Sequence, residues 1–253
     1  MAEARVRTPS SGRDAAWLVG ADLLAVALAF LGQILLAHAL LAEHYGWMVL
    51  AIDLYASLFL IIDLGLPTLI ARDGTRAPEL VPLAVWRSYR WQALAAVPFL
   101  LLALLARPEQ WLNVHAPAVL LVLAGLVALV HVASYAPRSA LRVLGEARLE
   151  AITKVVERSV TVVLYGVLTW QGSSSATAFT GAFLVGATTG WALALFWAMR
   201  VAPPLQGAVE WGRLGNVWST NGQLLAAALP FAITLGVLPY VCLLYTSPSP
   251  RDT

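Results

Sequence analysis

The stretch Ala15–Leu41, AAWLVGADLLAVALAFLGQILLAHALL, decides the class of fold. An apolar run of about 20 residues is long enough to cross the hydrocarbon core of a bilayer as a helix. Comparable runs recur along the chain, which is 60% apolar and only 12% charged, whereas soluble domains carry about 25% charged residues. Backbone groups in lipid must be satisfied within the segment, and the alternation typical of membrane strands is absent, so we predict helices.

We therefore predict an all-α, polytopic membrane helix bundle with about seven transmembrane helices. The predicted spans are Ala15–Leu41, Gly46–Leu69, Leu83–Ala106, Pro117–Tyr135, Ile152–Trp170, Ala176–Met199 and Leu224–Val241. Six of them form an N-terminal bundle, residues 14–200, after a polar cytoplasmic tail, residues 1–13. An amphipathic cytoplasmic link, residues 201–223, leads to the helix at 224–241, which we expect to begin a second bundle that is missing here.

The end of the chain has a different character from the rest. The segment Cys242–Asp252, CLLYTSPSPRD, resembles the translation of a common sequencing-library adapter. We expect residues 242–253 to be such an artefact, the native protein to continue differently, and the chain to be a fragment. The alternative is a genuine polar C-terminus. On the first interpretation Cys242, the single cysteine, carries no redox information.

The basic residues predict the orientation of the bundle. Fourteen of the sixteen Lys and Arg residues fall on one side of the predicted spans: Arg5, Arg7, Arg13, Arg72, Arg76, Arg87, Arg90, Arg138, Arg142, Arg148, Lys154, Arg158, Arg200 and Arg213. The opposite side has only Arg107 within the native part. Because Lys and Arg accumulate in cytoplasmic loops, we predict a multi-pass protein of the plasma membrane with a cytoplasmic N-terminus.

Polar residues inside the first two spans are candidate functional groups, because they are costly in hydrocarbon. Asp22 and Gln33 are eleven residues apart, which places them on one face of a helix. Asp53 lies in the second span. These side chains could line a cavity or couple transport to an ion. Two alternatives stay open: Asp22 could pair with a basic residue of a neighbouring helix, and Asp53 could be a solvated acid near the interface.

The fourth and fifth spans carry two polar stripes with helical spacing. The residues are His131, Tyr135, Arg138 and Arg142 on the fourth, and Glu150, Lys154, Arg158 and Thr161 on the fifth. Four cations at the inner headgroup level could bind a phosphate or pyrophosphate group: Arg138, Arg142, Lys154 and Arg158. The alternative is ordinary positive-inside anchoring, with Glu150 and Glu157 neutralising part of the charge. His131 has no second ligand at metal-site spacing.

The segment Asp63–Asp73, DLGLPTLIARD, closes the second span. Gly65 and Pro67 can loosen or bend the last helical turns, since proline lacks a backbone donor and clashes one turn back. We interpret the segment as a bent helix end and a hinge. Elsewhere, GAFLVGATTG in the sixth span has small residues typical of a close helix contact. No catalytic motif, cofactor motif or metal motif is visible, so we predict a non-enzyme without cofactor, metal or nucleic-acid partner.

Three stretches together resemble one family. They are ALLAEHYGWMVLAIDLYASLFLIIDLGLPTLIARD at 39–73, LRVLGEARLEAITKVVERSVTVVLYGVL at 141–168 and LPFAITLGVLPYV at 229–241. In order and spacing they are similar to polysaccharide and O-antigen flippases of the multidrug/oligosaccharidyl-lipid/polysaccharide (MOP) exporter superfamily. The resemblance implies twelve to fourteen helices in two bundles around a central cavity, working by alternating access.

The resemblance also implies a function. The expected cargo is a polyprenyl-diphosphate-linked oligosaccharide, flipped across the bacterial inner membrane for polysaccharide biosynthesis. The four cations would then bind the diphosphate, and Asp22, Gln33, Asp53 and His131 would line the cavity or couple an ion. Expected partners are the bilayer, the lipid-linked oligosaccharide and polysaccharide-assembly proteins. Rival hypotheses are a drug/cation antiporter of the same superfamily, a membrane scaffold without transport, and an enzyme that processes lipid-linked saccharides.

Overall fold

The computed structural model describes residues 11–63, 65–106 and 117–204, and these form helices and no strands. The helices are α1 (Ser11–Ala39), α2 (Ala42–Asp63), α3 (Leu66–Arg76), α4 (Val81–Ala106), α5 (Ala118–Val143), α6 (Ala147–Trp170) and α7 (Ala176–Val201). A single 3-10 turn, Pro78–Leu80, precedes α4. The predicted all-α membrane bundle is confirmed. The predicted helix at 224–241 and the adapter-like segment at 242–253 lie outside the described residues.

Three of the described helices are long and apolar enough to cross a membrane by length and composition: Ala15–Ala39, Ala118–Val143 and Ala176–Val201. They correspond to α1, α5 and α7. The sequence of α6 is more polar, because five ionisable residues occupy its first half: Arg148, Glu150, Lys154, Glu157 and Arg158. The bundle therefore combines strongly apolar helices with one that depends on its neighbours for burial of charge.

The second predicted span differs from the structure at its end. It is a continuous helix in the prediction, but α2 ends at Asp63 and α3 begins at Leu66. Gly65 separates them with φ of 65°, a left-handed conformation that glycine adopts without a steric penalty. Pro67 stands in the first turn of α3, where its missing N–H costs no helical hydrogen bond. This pair of residues therefore allows one helix to end and another to start in a new direction.

The turn between α5 and α6 is equally tight. Gly145 has φ of 78°, its N–H donates to the carbonyl of Arg142 at 3.2 Å, and the N–H of Glu146 donates to that of Leu141 at 2.9 Å. These bonds satisfy carbonyls at the end of α5, as in a Schellman-type termination. The short turn makes α5 and α6 an antiparallel hairpin with their charged ends side by side.

Helix α6 packs along α1 and α7, and α5 packs along α7, α2 and α3. We call the end of the bundle that contains α3 and the α5–α6 turn the α3 end. Small residues of α4, α5 and α7 fill the core there, including Ala84, Ala140 and Ala194. Larger side chains fill the other end, among them Phe179 and Tyr165, with ring centroids 5.4 Å apart.

The contact between α6 and α7 depends on two glycines. A Cβ atom on Gly190 would lie 2.7 Å from the Cβ of Glu157, and one on Gly186 would lie 2.9 Å from the Glu157 carbonyl oxygen. Both distances are shorter than van der Waals contact. At Gly181 an added Cβ would meet nothing within 4 Å. The close helix contact expected for this segment therefore involves Gly186 and Gly190 but not Gly181.

Candidate functional site

A cavity of about 230 Å³ lies between α1, α2, α6 and α7. Most of its lining is apolar, and includes Leu28, Met48 and Ile52. Its polar lining residues are Gln33, Asp53, Arg158, Thr161 and Tyr165. The cavity therefore brings together residues from the first, second and fifth predicted spans. It is a mainly apolar space that contains a few polar and charged side chains.

Arg158 supplies the positive charge of this cavity. Its side chain is half-buried and its guanidinium lies over the ring of Phe183, 5.6 Å from the ring centroid. Among the described residues no carboxylate lies within salt-bridge distance of it, and Asp53 lines the same cavity. A guanidinium without an ion-pair partner can accept an anionic group in a bidentate arrangement.

Gln33 is oriented by a residue that sequence reasoning did not select. The hydroxyl of Tyr45, in the first turn of α2, donates to Oε1 of Gln33 at 2.6 Å. This bond fixes the amide of Gln33 at the cavity. Nothing in the spacing of the two residues indicates the contact, because they lie on either side of the α1–α2 turn.

Asp22 and Gln33 share a face of α1, as helical geometry predicts, but only Gln33 lines the cavity. The side chain of Asp22 is 58% exposed and accepts a hydrogen bond from Nζ of Lys154 at 2.9 Å. Eleven residues separate it from Gln33 by about 16 Å along the helix axis. Asp22 is not among the cavity-lining residues. The alternative of a pair with a basic residue on a neighbouring helix is what the geometry shows for Asp22.

Two buried carboxylates take up the other predicted cations. Glu157 pairs with Arg138, and both side chains are less than one-tenth exposed. Nε2 of His131 lies 3.7 Å from Oε1 of the same carboxylate. The stripe predicted on α5 thus faces α6, but its partner Glu157 lies outside the stripe predicted on α6.

Glu150 is the second buried carboxylate and is fully enclosed. Nε of Arg142 donates to it at 3.0 Å, and Nζ of Lys154 lies 3.5 Å away. The Arg142 side chain stays 56% exposed on its other side. We call these six residues the charge ladder: Asp22, Arg138, Arg142, Glu150, Lys154 and Glu157. It links α1, α5 and α6 at the α3 end of the bundle.

The break between α2 and α3 lies beside a third polar group. Asp73 is buried and accepts from Arg72 at 2.9 Å, with Nη2 of Arg87 3.8 Å away. Nε2 of Gln92 on α4 lies 3.4 Å from Asp63, the last residue of α2. The contact of Arg87 with Asp73 joins α4 to α3, and the contact of Gln92 with Asp63 joins α4 to the end of α2. The hinge role of those two residues stays a prediction.

Residues 11–63, 65–106 and 117–204 contain no group of three His, Cys, Asp or Glu side chains that could hold a metal ion. The arrangement instead offers one cation, one carboxylate, an amide and hydroxyl groups around a cavity. Such groups bind and orient a polar or anionic molecule. The diphosphate-binding, cavity-lining and ion-coupling roles predicted for individual residues stay predictions.

Two comparisons with known proteins bear on this geometry. The family described as polysaccharide biosynthesis protein matches residues 11–245. A solved structure described as the outward-facing conformation of a multidrug resistance MATE family transporter of the MOP superfamily has the same fold, with a TM-score of 0.66 and 15% identity. The match covers 94% of this chain and 59% of that one. No curated protein matches the chain.

The family match spans most of the chain, and the structural match shows that the helices are arranged as in a transporter of the MOP superfamily. The predicted resemblance is confirmed at the level of family and fold. The chain is a multi-pass membrane protein and belongs to the polysaccharide biosynthesis protein family.

Proposed function

We propose that this bundle is part of an alternating-access transporter that exports polyprenyl-diphosphate-linked oligosaccharide across the bacterial inner membrane. The family description supports polysaccharide biosynthesis as the process, and the fold supports transport as the activity. One observation carries the choice of an anionic cargo. Arg158 faces a cavity with no carboxylate at salt-bridge distance in the described part of the chain, while the other predicted cations are held by Asp22, Glu150 and Glu157.

In this proposal Arg158 binds a phosphate oxygen of the diphosphate. Gln33, Thr161 and Asp53 line the same cavity, and in this proposal they hydrogen-bond the hydroxyl groups of the sugar next to the diphosphate. A cavity of about 230 Å³ is smaller than a whole oligosaccharide, so it holds only the diphosphate and adjoining groups. The remainder of the cargo then lies between this bundle and the second bundle that we expect beyond it.

The charge ladder has a supporting role in this proposal. Its pairs fix α1 and α5 against α6, so that the cavity side of α6 is held in place while the bundle moves as a unit. Arg142 retains an exposed side and could contact a passing diphosphate. Arg138 has no comparable access, because its side chain is nearly enclosed.

The proposal is tested in cells that carry the full-length gene. Arg158→Ala is expected to abolish most surface polysaccharide while the protein is still inserted and stable. The matched control is Arg90→Ala, which removes an exposed arginine from α4 and should leave export unchanged. Normal export with Arg158→Ala at wild-type protein levels would sink the diphosphate role.

The same strains separate export from drug/cation antiport, the rival within the superfamily. A carboxylate is the group that binds a cation, so Asp53→Asn is the diagnostic variant. If it abolishes extrusion of cationic drugs while surface polysaccharide stays normal, the antiporter hypothesis replaces ours. We expect the reverse: no change in drug resistance and a loss of polysaccharide.

The proposed orientation places the N-terminus and the α3 end in the cytoplasm. Reporter domains fused after Arg76 and after Gln171 should report opposite sides of the membrane, with Arg76 inside. The same side for both fusions would contradict the predicted alternation of spans.

A further inference from the structure

A second concave surface lies on the outside of the bundle, between α1 and α6. This groove has a volume of about 600 Å³, within the range of roughly 300–1,000 Å³ that is typical of small-molecule sites. Its lining is entirely apolar and includes Trp17, Gly20, Leu24, Ile152, Val155 and Val156. It is separate from the cavity lined by Arg158, with which it shares no lining residue.

The surroundings of the groove indicate a hydrocarbon occupant. Helix α1 is among the helices apolar enough to cross a membrane, and apolar side chains project outward beside the groove, with Leu23 68% and Val19 58% exposed. Gly20 deepens the groove, because a Cβ atom there would meet nothing within 4 Å. A lipid chain can enter such a surface directly from the surrounding bilayer.

One end of the groove carries a positive charge. The guanidinium of Arg148, near the start of α6, lies over the ring of Trp17, 5.3 Å from the ring centroid. Arg148 is exposed and makes no ion pair with the described residues. The nearby Lys154 is already held by Asp22 and Glu150. Arg148 is therefore the cation available to an anionic headgroup at this end.

A tryptophan beside an arginine at the end of an apolar helix is the arrangement expected at the headgroup level of a bilayer. Basic sites between transmembrane helices bind anionic lipid headgroups. The groove and Arg148 together match a molecule with a hydrocarbon chain and a phosphate at one end.

We propose that the α1–α6 groove binds one anionic phospholipid, with an acyl chain along Gly20 and Leu24 and its phosphate on Arg148. The site is independent of the transported cargo. The bound lipid fills the groove between α1 and α6 and so stabilises the contact of these two helices from outside.

The test uses the full chain, purified in detergent and depleted of lipid. Native mass spectrometry measures the binding of phosphatidylglycerol and of phosphatidylcholine with identical acyl chains. We expect wild-type protein to prefer phosphatidylglycerol. Arg148→Ala should weaken phosphatidylglycerol binding about tenfold, the loss of one charge-assisted hydrogen bond, and weaken phosphatidylcholine binding less, because the choline cation already offsets the charge of its phosphate. Arg76→Ala, which removes another exposed arginine at the α3 end, is the charge-matched control and should change neither.

A second variant tests the groove itself. Gly20→Leu fills it and should weaken the binding of both lipids. Gly166→Leu is the control, because that glycine also has open space around its missing side chain but lies away from the groove. Arg148 is exposed, so its variant remains informative if Gly20→Leu does not fold.

Three outcomes would overturn the proposal. The first is equal phosphatidylglycerol binding by Arg148→Ala and wild type. The second is displacement of the phospholipid by a short polyprenyl phosphate from the same groove, which would assign it to the tail of the cargo. The third is a dimer that Gly20→Leu converts to monomer, which would show that a second copy covers the groove.

Discussion

Two sets of ionisable residues on α6 use charge in opposite ways. Glu150 and Glu157 are buried, and each holds cations of its own or a neighbouring helix. Arg158 reaches a cavity and has an aromatic ring, rather than a carboxylate, as its described neighbour. In the sequence these residues look alike, as charged side chains near the adjoining ends of two helices. The comparison teaches that the partner of a membrane charge, more than its presence, separates a structural role from a binding role.

The largest effect should come from removing a buried carboxylate. Glu157→Ala leaves Arg138 enclosed without its counter-charge, and breaking a buried pair from one side costs roughly 3–5 kcal/mol. The free energy of unfolding, measured by titrating the protein with sodium dodecyl sulfate in mixed micelles, should fall by that amount. Replacing both Arg138 and Glu157 by Leu should cost less than the single change. A loss below about 1 kcal/mol would show that the pair is not structural.

The next effect concerns the close approach of α7 to α6 at the backbone of Glu157. Gly186→Ala places a methyl group against the backbone of α6 at Glu157 and should cost about 1–3 kcal/mol, as other overpacking changes do. Gly181→Ala is the control on the same helix; its new methyl group meets open space, so stability should stay equal or rise by a few tenths of a kcal/mol. An equal change in stability for the two variants would mean that the close packing at Gly186 does not decide the outcome.

A smaller loss of stability is expected at the cavity. Arg158→Ala removes a contact with the Phe183 ring that is worth about 0.5–1 kcal/mol. None of the described carboxylates loses a salt-bridge partner in this variant. The same titration should therefore separate it clearly from Glu157→Ala. Together with a severe export defect, this small cost would mark Arg158 as a binding residue. A loss of stability as large as that of Glu157→Ala would show that Arg158 is mainly a structural residue.

The smallest effect should be that of Lys154→Ala. Its partner Asp22 is largely exposed, and exposed pairs contribute about 0.2–1 kcal/mol. Glu150 keeps Arg142 when Lys154 is removed, so no buried charge is left alone. A double-mutant cycle with Asp22→Ala measures the pair directly. A coupling energy well above 1 kcal/mol would show that the pair of Asp22 and Lys154 also stabilises the fold.

Much of the fold is predictable from the sequence because the length of an apolar run is a local property. The six predicted spans of the bundle follow from such runs, and the interruption between α2 and α3 follows from Gly65 and Pro67, two residues with special backbone behaviour. The prediction missed that α3 is a separate helix, since Leu66, Leu69 and Ile70 also extend the apolar run of α2. Their burial against other elements is a tertiary effect that composition does not reveal.

The candidate site is predictable only in part. Helical spacing correctly groups Arg138 and Arg142 on the face of α5 that meets α6. It does not determine the rotation or axial shift of one helix against another, and these decide which acid each cation meets. The pair of Asp22 and Lys154 joins residues 132 positions apart, and Tyr45 reaches Gln33 around a turn. Neither contact follows from any periodicity.

The tight turn at Gly145 has a consequence for how the protein enters the membrane. Helix α6 alone would bring five ionisable side chains into the bilayer, and each charged residue near a helix centre opposes insertion by about 2.5–3.5 kcal/mol. Helix α5 arrives immediately before it and carries Arg138 and Arg142, the partners of Glu157 and Glu150. We therefore expect the insertion machinery to release α5 and α6 together as a hairpin, in which both glutamates of α6 are already paired with arginines of α5.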